Sequence, residues 1–178
     1  MTTAGQKRAL RELCALARTA LGVCEMIAAR GEEHDDRPRL WLLALERWTR
    51  GAETGPQLAA RTRAMGAWAK ATTGDVRVSE WWLSCAWLSD ARVDLLKNPG
   101  HDHHTSRVCG RLAGTLVRLD GMPQDAAAAR VAEMLRGHRE RIAGEWATVM
   151  REASAARAKA DKVAAERALG TLPGMVAP

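Results

Sequence analysis

The chain has 178 residues, of which 47% are hydrophobic and 27% charged, with a net charge of +6 and a pI near 9.7. These proportions are ordinary for a globular domain and exclude a disordered polyampholyte, a collagen-like repeat and a small disulfide scaffold. One domain is the default at this length, expected over 1–170 with a frayed tail over 171–178.

Phe and Tyr are absent, while there are seven Trp, 34 Ala, 22 Arg and five Lys. Alanine and arginine are strong helix formers, so composition points to an all-α protein whose large core volumes come from Leu and Trp. The positive charge hints at an anionic partner, but it is spread along the chain with no basic tail or arm. Cys14, Cys24, Cys85 and Cys109 form no C-x-x-C pair and match no zinc-knuckle spacing. The longest apolar run is Leu40–Leu45, far short of the ~20 residues of a membrane span. No apolar run follows Lys7, Arg8 and Arg11, so no signal peptide is expected. The expectation is a cytoplasmic chain with reduced thiols.

The elements read as an all-α bundle of about six helices with a long, protruding or kinked C-terminal helix. The first spans about 5–30, with Leu10, Leu13, Ala17, Ala20, Cys24 and Ile27 at 3-4 spacing and a stop at Gly31. An acidic linker, Glu32 to Asp36, follows. The second helix spans about 37–50, opens at Pro38, shows Trp41, Leu45 and Trp48 on one face, and stops at Gly51. The third runs from Pro56 to about Thr72, with Leu58, Met65, Trp68 and Ala69 inward.

Val76-Arg77-Val78 reads as extended or loop, with Ser79 capping a fourth helix over about 80–97. Seven of the eight residues 81–88 are apolar, which predicts a helix buried on all sides. Asn98-Pro99-Gly100 ends it. The fifth helix is expected from Thr105 to Asp120, capped at Thr105 or Ser106, with Val108, Leu112, Leu116 and Leu119 inward.

The sixth helix has no proline from 124 to 172. Continuous to Leu169 it would run about 69 Å, against a radius of gyration near 16 Å for a globule of this size. It must therefore break, at Gly137 or Gly144, or protrude. Its seam of Ile142, Trp146, Val149, Ala153, Ala156, Ala160 and Val163 wants a partner, either the first helix or another chain.

Catalytic signatures are missing: there is no G-x-S-x-G, S-x-x-K, H-E-x-x-H, Walker A loop or G-x-G-x-x-G. That argues against hydrolase, NTPase and dehydrogenase chemistry. No catalytic residue is assigned. The metal candidate is the loop carrying His101, His103 and His104, with Asp102 and Cys109 near, where imidazole and thiolate suit a divalent transition metal. Its plainer reading is an exposed polar loop. Asp90 and Asp94 share a helix face, but no Glu-x-x-His accompanies them.

The nucleic-acid candidate is the stripe Arg107, Arg111 and Arg118 on the fifth helix, extended by Arg61, Arg63 and Lys70, with Trp81 as a stacking platform if exposed. The interface candidate is Trp81, Trp82, Trp87, Trp146, Ala153, Ala156 and Ala160, since exposed Trp anchors interfaces. The first functional expectation is a non-enzymatic helical subunit or adaptor that binds another protein or itself. The alternatives are a phosphate-backbone binder and a metal-binding bundle.

Overall fold

The computed structural model describes residues 4–29, 36–98 and 103–170. The side chains of Val149, Ala153 and 165–170 lie outside this set, as do the tail 171–178, the first helix's expected stop at Gly31, and the acidic linker apart from Asp36. The protein is an all-α bundle: α1 (Ala4–Ala28), α2 (Arg37–Thr49), α3 (Gly55–Ala71), α4 (Val76–Lys97), α5 (His103–Asp120) and α6 (Gln124–Gly170). None of the helices is long and apolar enough to cross a membrane, among the described residues.

Local chemistry explains most boundaries. Pro38 sits in the first turn of α2, where a missing N–H costs nothing. Gly51 (φ 77°) and Gly74 (φ 98°) adopt left-handed backbone just after α2 and α3, which stops both helices. Thr54 and Gln57 form a reciprocal capping box at the start of α3.

Two expected starts are corrected. Val76–Val78 is the first turn of α4 and not an extended segment, because the Asp75 carboxylate accepts from the amides of Arg77 (2.8 Å) and Val78 (3.3 Å). Asp75, and not Ser79, is the cap. α5 begins at His103, ahead of Thr105. The Thr105 hydroxyl is buried and donates to Glu12 Oε1 of α1 at 3.0 Å.

The helix at the centre is α1, which packs on α2, α4, α5 and α6. Leu13, Cys14, Ala15, Leu16 and Ala17 are buried in succession, so α1 is enclosed on all sides. The prediction gave that place to α4, and it is corrected. α4 buries one face (Val78, Trp81, Cys85, Leu88, Ala91 and Leu95) and leaves Leu83 and Val93 exposed. Small side chains explain the difference: alanines on the back of α1 let four helices approach, whereas the tryptophans of α4 are too large to be covered all round.

Trp41 is the largest fully buried side chain, and its indole N–H donates to Thr62 Oγ1 at 2.9 Å. Among the described helices, α3 packs on α2 and α4.

α6 is one continuous helix of 47 residues, about 70 Å long. It does not break at Gly137 or Gly144. Ala127, Val131, Leu135, Ile142 and Trp146 bury its first half against α1 and α5.

Candidate interaction surfaces

The first half of α6 lies along α1. Gly22 meets Met134 so closely that a Cβ there would collide with Met134 Cε. Arg139 binds the Glu12 carboxylate, Arg18 reaches Glu145 at 3.6 Å, and Arg11 lies 6.0 Å from the Trp146 ring centre. These pairs show α1 running antiparallel to α6, with its N-terminal turns opposite Trp146. The described part of α1 continues past that level as Ala4–Leu10, about two turns.

From Arg151 to Ala164 every described side chain of α6 is exposed. Ala156 and Ala160 therefore stand free of the bundle, and Val163 is 39% exposed. Ala153 lies outside the described side chains. Trp146 is corrected as an interface residue: only 6% exposed, it closes the core, and its indole N–H makes no hydrogen bond among the described residues.

Two of the three arginines of the basic stripe of α5 are held by a carboxylate of the bundle. That carboxylate, Glu80 of α4, is buried and binds Arg111 through Nη2 and Arg118 through Nε at 2.7 Å. The third, Arg107, lies over the face of Trp87 at 4.2 Å from the ring centre. Arg61 is bound to the buried Glu53 at 3.3 Å. Arg63 and Lys70 are exposed on α3. Trp81 is 5% exposed, so it serves the core and is neither a stacking platform nor an interface anchor. Trp82 and Trp87 are half-buried, and Trp82 rests on Gly66. With Leu83 and Val93 they form the apolar outer face of α4.

His103 and His104 open α5, with ring centres 5.6 Å apart. His104 Nε2 lies 2.9 Å from Asp94 Oδ2, which joins the ends of α4 and α5. Asp94 thus faces His104 and is not one half of a carboxylate pair with Asp90. His101 lies outside the described residues. Among the described residues no three His, Cys, Asp or Glu side chains converge as a metal site would require. Burial pushes the Cys109 thiol up to about 11, so it is a poor thiolate ligand near neutral pH.

Sequence reasoning missed the glutamates. Glu46 is 6% exposed and accepts from Arg18 Nε (3.1 Å) and Arg50 Nη2 (2.9 Å), tying α2 to α1. Its signal was available: Glu46 sits four residues after Leu42 on a buried stripe, as Glu80 sits four before Ser84. A carboxylate on a core face has to find a cation. Which arginine answers it is not local information.

No known family model matches this chain, and no characterised protein or solved structure matches it either.

Proposed function

We propose that this chain is a non-enzymatic helical assembly protein that uses the outer half of α6 as a docking arm. The observation that supports this is the arm itself. The stripe that buries Val131, Ile142 and Trp146 continues along α6 as Ala156, Ala160 and Val163, which are exposed. An isolated helix of some 20 residues is marginal in water. Alanines on its seam permit a second helix to approach closely. The occupant this reading commits to is a second copy of the chain, because each copy carries the same uncovered seam. Phosphate-backbone binding has less support, since Glu80 and Glu53 hold Arg111, Arg118 and Arg61.

The test is native mass spectrometry and sedimentation of the full chain beside a chain ending at Met150. The full chain is expected to associate with rising concentration. The shortened chain should stay monomeric and melt within about 2 °C of the full chain, because the described side chains from Arg151 to Ala164 are exposed. A full chain that remains monomeric up to about 100 μM would overturn this reading, since that excludes even the weak end of specific pairing.

A further inference from the structure

At one end of the bundle five helices leave a cavity of about 280 Å³, close to the lower limit of ligand pockets. It exists because, among the described helices, α3 packs on α2 and α4 and not on α1 or α5, so the ends of α1 and α5 face the end of α3 without closing on it. Trp68, Trp81, Ile27 and Leu119 give the cavity apolar walls. The Cys24 thiol also lines it; burial pushes that group up to about 11, so this wall carries no charge near neutral pH. A polar edge stands on the α3–α4 side: Thr72, Asp75 and Arg77.

We infer that this cavity binds an uncharged aromatic molecule of single-ring size carrying one O–H or N–H group, with the ring against the two tryptophans and the polar group at Thr72. The charges on the polar edge exclude an ionic ligand, because they oppose one another and are already engaged. Asp75 and Arg77 stand on the same wall with opposite signs. The Asp75 carboxylate accepts from the amides of Arg77 and Val78 at the start of α4, and Arg77 has an interaction partner of its own. Arg37 lies over the Trp68 ring at 5.7 Å from its centre but does not line the cavity. A charged ligand would give up hydration against apolar walls and meet no unmatched counter-charge in return. A neutral ring avoids that cost and gains contact with two indoles. The Thr72 hydroxyl donates to the Trp68 carbonyl at 2.7 Å, which uses its proton and leaves its oxygen as an acceptor on the polar edge. Apolar walls with a few polar groups on one side are the usual form of a small-molecule site. This inference is independent of the docking arm, which lies on α6 and contributes nothing to the cavity.

The probe is 2-phenylethanol, added to the full chain labelled with ¹⁵N, beside the cation 2-phenylethylamine and the anion phenylacetate, which match it in size and differ in charge. The readout is the indole N–H resonances of Trp68 and Trp81. The alcohol is expected to shift both saturably. Both ions should bind at least about tenfold more weakly, since each must shed hydration without a counter-charge. Thr72→Val keeps the shape of the side chain and removes the acceptor, and should weaken the alcohol by about three- to tenfold, the scale of one hydrogen bond. Cys24→Leu, which fills the wall, should weaken it as well. No saturable shift of either indole by about 10 mM alcohol, the weak limit for fragments, would overturn the inference. So would an ion that binds as tightly as the alcohol, or a Thr72→Val or Cys24→Leu variant that binds the alcohol as the parent does.

Discussion

Glu80 holds Arg111 across the contact between α4 and α5, and that pair decides what the basic stripe of α5 is for. The carboxylate is buried and accepts Arg118 as well. Removing it strands a mostly buried guanidinium. Glu80→Gln should therefore cost roughly 2–4 kcal/mol in urea unfolding. It should also free two arginines, so the folded fraction should elute later from heparin than the parent. A variant of parental stability and unchanged elution would show that the pair carries no weight.

Continuity of α6 has its own test at Gly137 and Gly144. A Cβ added at either position meets nothing within 4 Å. In a straight helix Gly→Ala gains roughly 0.5–1 kcal/mol by restricting the unfolded chain. Each substitution should raise the melting temperature by a few degrees. A drop at either site would place a kink there.

His138 faces α1 from α6 and has a lowered pKa. Burial is the main cause, followed by the positive charges of Arg141 and Arg18. Arg141 Nη2 lies 3.2 Å from Nδ1 and can only donate, so Nδ1 accepts and the ring is neutral with its proton on Nε2. The unfolded chain then binds more protons than the folded one between the lowered pKa and the ordinary value near 6.5. Its contribution is complete above about pH 6.5 and shrinks as pH falls through that window. An NMR titration should find the His138 ring titrating below 6.5, and His138→Gln should flatten the stability profile there. Titration at or above 6.5 would contradict this account.

Burial also governs the thiols. Cys24 and Cys109 are pushed up to about 11, and Cys14 and Cys85 are raised as well, in each case chiefly by desolvation. At pH 8 a thiol near 11 is roughly 0.1% thiolate, against about a quarter for an ordinary one. Alkylation by iodoacetamide should be at least tenfold slower on the folded chain than in urea. Rapid labelling of Cys24 or Cys109 in the native protein would refute the enclosure described here.

The α3 cap gives a smaller, local effect. Thr54→Ala removes both hydroxyl bonds of the capping box and should cost about 1 kcal/mol. Thr54→Ser should restore most of it. Equal stability of the Ala and Ser variants would show that the box contributes nothing.

Among the described residues, helix order and most inward faces were legible from residue order, because each depends on neighbours within four or five positions. Leu58, Met65 and Trp68 declare the buried side of α3, as Val108, Leu112 and Leu116 declare that of α5. Gly51 and Gly74 mark the ends of their helices, and the proline-free run from 124 foretells a helix too long for the globule. Where local signs competed, the reading slipped: two valines at 76 and 78 outweighed an Asp75 cap.

Tertiary structure alone decided which helix lies at the centre and where the charges go. Alanine carries almost no hydropathic sign, so nothing local distinguishes Ala15 and Ala17, enclosed in α1, from Ala156 and Ala160, standing free on α6. An arginine is equally mute about its partner. Glu80 lies 31 residues from Arg111, and Glu12 lies 127 from Arg139. Only packing brings them together, and burial then makes a carboxylate choose a guanidinium over water. The cavity between Trp68 and Trp81 is likewise a consequence of α3 meeting two helices and not four, a choice made by the shapes of whole faces.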